Sequence, residues 1–257
     1  MTTSFKPDPD YIVETAGLTK GFAGFVAVDG LDLRVRRGTI HALIGPNGAG
    51  KTTVFNLLTK FLPASSGQIF YKGDEVTHVP AARLARRGMV RSFQISAVFQ
   101  HLSVRDNVRI ALQQPTGLSY RFWRPEASLH HLNAHAEELL EQVGLTEFRH
   151  RTAGNLSYGR KRALEIATTL ALDPEMLLLD EPMSGLGLED VQRIADLIRA
   201  VSARRTVLMV EHNLSVVASL SDTITVLARG KILAEGPYDS VSRNPAVVSA
   251  YMGSRHA

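Results

Sequence analysis

Short apolar runs and apolar residues recurring every three or four positions divide this chain into strands and helices. The runs at 176–180 and 206–212 are continuous, which predicts strands buried on both faces, as in a parallel sheet. Residues 31–35 alternate apolar with charged, the pattern of a half-exposed strand. Further strands are predicted at 11–15, 25–28, 40–44, 68–71, 89–93, 223–227 and 231–235. Helical spacing appears at 54–58, 80–87, 104–112, 129–143, 160–172, 190–201 and 246–252. Pro80 opens the second of these helices, Ser157 is a natural N-cap before 160–172, and Asp173-Pro174 stops that helix.

The order of these elements is uneven. Strand signals vanish between residues 94 and 142, where two helices flank an irregular aromatic stretch, 113–125. This reads as a helical lobe inserted into an α/β core. No internal repeat appears.

Composition changes the picture little. At 257 residues the chain buries a sizeable core as one domain, or one domain with a lobe. No stretch approaches the ~18 apolar residues of a membrane span, and residues 1–10 lack the apolar core of a signal peptide, which points to the cytoplasm. Cysteine is absent, which excludes disulfide and thiol chemistry. Net charge is +4, and Arg34, Arg36, Arg37, Arg83, Arg86 and Arg87 form short clusters that read as solvated faces rather than a nucleic-acid surface.

Candidate chemistry begins between the 40–44 strand and the 54–58 helix. Gly45-Pro46-Asn47-Gly48-Ala49-Gly50-Lys51-Thr52 has the spacing of a phosphate-binding loop, G-x-x-x-x-G-K-[ST]. Chance produces it in roughly one chain of this length in a hundred. Glycines let successive N–H groups turn inward around a polyphosphate. The helix starting near Lys51 aims its positive end at the same anion. Lys51 is placed to reach the β- and γ-phosphates, and Thr52 to ligate Mg²⁺.

The strand at 176–180 ends in two carboxylates, Asp180 and Glu181. Strand ends are where open α/β sheets place ligands, and a buried carboxylate needs a partner. Asp180 reads as the second Mg²⁺ anchor and Glu181 as the group that polarises a water attacking the γ-phosphate. His212 ends the 206–212 strand and could contact that phosphate. Phe22, between Gly21 and Gly24, could stack on a nucleobase. Trp123 between arginines reads as local packing. His131 and His135 have metal-ligand spacing without a third ligand, so metal binding there is rejected.

The set resembles the ATP-binding cassette (ABC) ATPases from about residue 11 to 253. Phe22 resembles the adenine-stacking aromatic, residues 45–52 the Walker A loop, and Gln94 the Q-loop glutamine. Leu156-Ser157-Tyr158-Gly159-Arg160 is similar to the LSGGQ signature, residues 176–181 to Walker B with its catalytic glutamate, and His212 to the H-loop histidine. Tyr158 and Arg160 depart from the signature, and Gly187 stands where the D-loop usually carries an acid. Within the family, the likeness is to ATPases of branched-chain amino acid importers. It is carried by residues 156–159, 164–167 and 210–213, the insertion at 113–130, and the ending from Asn244-Pro245 to Ala250-Tyr251-Met252-Gly253.

The resemblance implies a P-loop NTPase fold with a parallel-sheet core, an N-terminal antiparallel β region and an inserted helical lobe. One domain spans 11–257: first core part 11–94, lobe 95–170, and second core part 171–257. It implies ATP and Mg²⁺ as cofactors, with Glu181, His212, Gln94 and Lys51 catalytic and Thr52, Gln94 and Asp180 at the metal. Phe22, residues 45–52, Thr53, Ser157 and Gly159 would hold nucleotide, the last two across a head-to-tail dimer. Partners implied are two permease subunits docked near residues 95–99, a second cassette ATPase in a homo- or heterodimer, and indirectly a periplasmic or extracellular solute-binding protein. The implied place is the cytoplasmic face of the membrane. Urea or amide import, lipopolysaccharide export and a soluble non-transport cassette protein are the alternatives.

Overall fold

The computed structural model describes residues 5–92, 98–114 and 131–253. Its central sheet has six strands. In spatial order they are β11 (Lys231–Gly236), β10 (Thr223–Ala228), β4 (Ile40–Ile44), β9 (Thr206–Val210), β8 (Met176–Asp180) and β7 (Met89–Ser92). All neighbours are parallel except β11, which joins β10 antiparallel.

The continuous apolar runs have a direct explanation. Successive strand side chains point to opposite faces. Along β8, Leu177 and Leu179 enter one apolar cluster, while Met176 and Leu178 enter the other. β9 divides the same way, Val207 and Met209 against Leu208 and Val210. With both faces covered, every position is apolar and alternation disappears.

A second, antiparallel sheet is built from β1 (Tyr11–Phe22), β2 (Phe25–Leu31), β3 (Arg34–Arg36), β5 (Ser66–Tyr71) and β6 (Asp74–Glu75). Helix α1 (Lys51–Leu58) belongs to the cluster between the sheets. Its Val54, Phe55, Leu57 and Leu58 pack with Leu43 and Leu178 of the central sheet and Val13 and Ile69 of the antiparallel one. Each such buried side chain contributes about 1.5–3 kcal/mol. The phosphate-loop candidate is therefore held at the start of a helix clamped on two sides.

Three strand expectations are corrected, the first being that β9 stops at Val210, so that His212 lies in the connection after it. β1 continues to Phe22 instead of ending at residue 15. The chain passes Gly17 through an irregularity, with a register shift against β5 between Ala16 and Thr19. The expected strand at 31–35 is split, because Asp32 turns aside to accept the Gly17 N–H at 2.6 Å.

Between residues 98 and 175 the described residues contain no strand. They carry α3 (Val104–Gln113), α4 (Asn133–Gln142) and α5 (Tyr158–Leu170). Pro80 is the N-cap of α2 (Ala81–Arg86). α6 (Leu188–Ser202) buries Ile194, Ala195, Leu197, Ile198 and Val201, one face at helical spacing. Two short helices escape the sequence reading: α7 (Leu214–Leu220), capped by the Asn213 side chain, and α8 (Tyr238–Ser242). The expected terminal helix is α9 (Pro245–Gly253). Gln94, residues 95–97, and most of the insertion, including Trp123, lie outside the described residues.

Candidate functional site

The site is built at the carboxyl ends of three parallel strands, β4, β8 and β9. At the end of β4 the chain turns through Gly45, whose φ is +153°. A Cβ there would lie 2.2 Å from the Leu227 carbonyl oxygen of β10. Gly50, at φ +105°, would place a Cβ 2.5 Å from the Ala27 carbonyl oxygen. Only glycine fits either position, so the loop's glycines are a steric requirement of its path.

Gly50 caps α1 with no side-chain hydrogen bond. The first-turn N–H groups of α1 are therefore open to an anion. Pro46 accepts the Ala49 N–H at 3.2 Å, and Asn47 and Gly48 form the exposed tip. The Lys51 side chain folds back, and its Nζ donates to Gly45 O at 2.8 Å and Pro46 O at 3.0 Å. Burial pulls its amine below the usual range, opposed by the charges of Glu181 and Asp180. A desolvated lysine held by two carbonyls is well suited to move onto a phosphate. Thr52 is exposed on the loop side and Thr53 half-buried.

Asp180 ends β8, and its carboxylate is almost fully buried. It is paired with Arg91 of β7 at 2.5 Å. The same guanidinium donates to the Asn56 side chain of α1 at 2.7 Å. Arg91 thus ties two strands to the helix that follows the loop. Arg162 of α5 adds a second tie, donating to the backbone oxygens of Asp180 at 3.0 Å and Pro182 at 3.2 Å while pairing with Glu165 at 2.7 Å. A hydroxyl at Thr52 and a carboxylate at Asp180 are the hard oxygen donors that Mg²⁺ takes.

Glu181 has φ +47°, left-handed for a non-glycine residue. That conformation is strained by about 1–2 kcal/mol. It is held by the Glu181 N–H bonding to Val210 O at 2.9 Å. The carboxylate meets His212 Nε2 at 2.6 Å. Glu211 fixes the backbone beneath this pair. Its carboxylate accepts N–H bonds from Met183 at 2.8 Å and from His212 at 3.1 Å. Burial raises the Glu211 carboxyl above its ordinary range, against those N–H groups.

Phe22 sits at the end of β1, 40% exposed, stacked on Phe25 at 5.6 Å with Lys20 beside its ring. Ser157 caps α5, accepting the Arg160 N–H at 3.4 Å. The bare face of Gly159 receives Asp190 of α6, whose carboxyl carbon would lie 2.2 Å from a Cβ. Gly187 is the N-cap of α6.

The structure thus brings Lys51, Asp180, Glu181 and His212 to one end of the sheet. Gly159 packs against Asp190 of α6 instead, and Ser157 caps α5. The sequence reading gives Arg91, Arg162 and Glu211 no role in the site. A charge inside a predicted buried strand is the signal for Arg91 and Glu211, since it requires a partner.

Known proteins resemble this chain in sequence and fold. Residues 28–184 match the family model described as ABC transporter, and residues 231–257 match one described as branched-chain amino acid ATP-binding cassette transporter. The chain is 38% identical to the high-affinity branched-chain amino acid transport ATP-binding protein BraF of Pseudomonas aeruginosa, over 94% of this chain and 98% of that protein. It is 37% identical to the corresponding protein LivG of Escherichia coli, with the same coverage. Among solved structures, it is similar to a nucleotide-free ATP-binding cassette from an ABC transporter, with TM-score 0.83 and 30% identity over 94% of this chain and 98% of that one. An ADP-bound cassette of an ABC transporter gives TM-score 0.82 at 30% identity, over 95% and 99%. On the match over residues 28–184 and on these identities, the chain belongs to the ABC transporter family as an ATP-binding subunit.

Proposed function

We propose that this chain hydrolyses ATP to drive import of branched-chain amino acids or similar small solutes through separate permease subunits. The observation that carries the chemistry is the Glu181–His212 contact at 2.6 Å beside Lys51 and Asp180. The cargo reading rests on the 231–257 match and on what the relatives are named for.

In this reading the loop N–H groups and Lys51 hold the β- and γ-phosphates, and Phe22 stacks on adenine. Thr52, Asp180 and Gln94 would hold Mg²⁺, which would supply positive charge against the phosphate oxygens. Glu181 accepts a proton from a water whose oxygen bonds to the γ-phosphorus as the bond to the bridging oxygen breaks and ADP leaves with that oxygen. His212 orients Glu181 and meets the γ-phosphate. Ser157 and Gly159 close on the nucleotide of a second cassette, in a homodimer or heterodimer. The lobe at 95–170 then acts as a lever within one domain spanning 11–257.

No helix among the described residues is long and apolar enough to cross a membrane. Transport therefore calls on permease partners at the cytoplasmic face, with a solute-binding protein beyond them. An apolar groove of about 430 Å³, which Phe99 helps to line, supports docking on this face. Phe61, Phe99, Ile110 and the alanines of α2 line it.

The test is capture of the tagged chain from detergent-solubilised membranes of its host, with mass spectrometry of its partners. Two permeases and a second cassette ATPase are the expected result. Recovery of ribosomal or DNA-bound partners, or of no membrane protein, would overturn the transport reading.

A further inference from the structure

The β1–β2 hairpin ends in an exposed apolar tip. A two-residue turn brings Phe22 and Phe25 into cross-strand register. Their rings stack with centroids 5.6 Å apart and planes 24° apart. Phe25 is 62% exposed and Val26 52%, against 40% for Phe22. Contiguous apolar side chains left in water mark a contact surface.

The strand that carries Phe25 is tied to the phosphate loop. Ala27 lies two residues on, about 7 Å along the strand. Its carbonyl oxygen is the atom that would sit 2.5 Å from a Cβ on Gly50. Further along β2, the Asp29 N–H donates to Gly230 O at 3.0 Å, and the Gly230 N–H donates to Ala49 O at 3.0 Å. The ring pair is therefore held in a fixed relation to the residues around Lys51. A nucleobase tethered to phosphates in that loop is a flat π-system within a few residues of the tip, and aromatic faces are what such a ring stacks on.

The ring spacing limits where a base can go. A base between the two rings needs about 7 Å, twice the ~3.5 Å contact distance of carbon atoms. At 5.6 Å the pair is closed to it, and an outer face remains. Lys20 Nζ lies over the Phe22 ring at 5.2 Å, anchored by its donation to Pro63 O at 2.9 Å. Phe25 has the more open ring.

We propose that Phe25 is a second nucleobase-binding residue: the stacking surface is the Phe22–Phe25 pair, and Phe25 carries its open face. This role rests on the nucleotide reading above, in which Phe22 is the stacking ring. Affinity gained here depends on the base and not on the phosphates.

That distinction supplies the test. Binding of ATP and of inorganic tripolyphosphate, which has no base, is measured by titration calorimetry on wild type, Phe25→Ala, Phe25→Trp, Phe22→Ala and Lys51→Ala, with melting temperatures alongside. Phe25→Ala should raise the Kd for ATP about five- to tenfold, the lower end of what one base–aromatic stack is worth because Phe22 remains. Its Kd for tripolyphosphate should be unchanged, and its melting temperature near wild type, as for other exposed positions. Phe25→Trp should bind ATP at least as tightly as wild type. Wild-type affinity for ATP in Phe25→Ala overturns the proposal. So does an equal loss for ATP and tripolyphosphate, which would place the effect in the loop. Wild-type binding of both ligands by Lys51→Ala is a separate failure, that of the phosphate-loop reading, and would take the proposal with it.

Discussion

Replacing Arg91 by methionine isolates what its guanidinium does. Methionine keeps an unbranched apolar stem against Phe55 and Phe61, which flank the guanidinium at 5.7 and 5.9 Å. It removes the partner of a carboxylate that is 5% exposed. Breaking one half of a buried pair destabilises by about 3–5 kcal/mol. Lys51 acts on Asp180 through its own charge, which holds the value to the lower end. The expected loss is therefore about 3 kcal/mol, or a fall of roughly 6–12 °C in melting temperature. The assay is urea unfolding at pH 7 of wild type, R91M, Asp180→Asn and the double variant. Once Arg91 is gone, Asp180→Asn should recover much of the loss, giving a coupling of about 2–3 kcal/mol. A single variant within about 0.5 kcal/mol of wild type, or a coupling near zero, would refute the view that Arg91 neutralises Asp180.

His41 offers a pH test. It is buried on β4 with Nε2 2.7 Å from Thr225 Oγ1, and burial lowers it to about 4. Its folded value lies below its unfolded one, so stability is intact above the unfolded pKa and is lost as pH falls toward the folded one. Between pH 7.5 and 5 the His41 contribution should fall by about 2 kcal/mol, and His41→Gln should abolish that slope in denaturation curves. Glu181→Gln should bind ATP as wild type does yet release phosphate at least about a hundredfold more slowly; wild-type turnover would remove Glu181 from the base role. Lys51→Ala should lose ATP binding itself, read by equilibrium titration.

The order of strands and helices was legible because each buried face left a periodic trace. β8 and β9 announced their two-sided burial by losing alternation altogether. The loop at 45–52 was legible because its spacing is steric, and the clashes awaiting a side chain at Gly45 and Gly50 give the reason. What stayed hidden was pairing across distance in sequence. Arg91 and Asp180 are partners over 89 positions. Periodicity carries no record of such contacts. The length of β1 was hidden for a local reason, since Gly17 reads as a stop and acts as an irregularity within a continuing strand.

The most direct measurement is uptake of labelled leucine into proteoliposomes holding the complex captured through this chain, with ATP supplied on the side that reaches it. Uptake by the wild-type complex, absent with Glu181→Gln, is the expected result. Leucine uptake undiminished by Glu181→Gln, or vigorous ATP hydrolysis by a complex that moves no branched-chain amino acid, would contradict the proposed role.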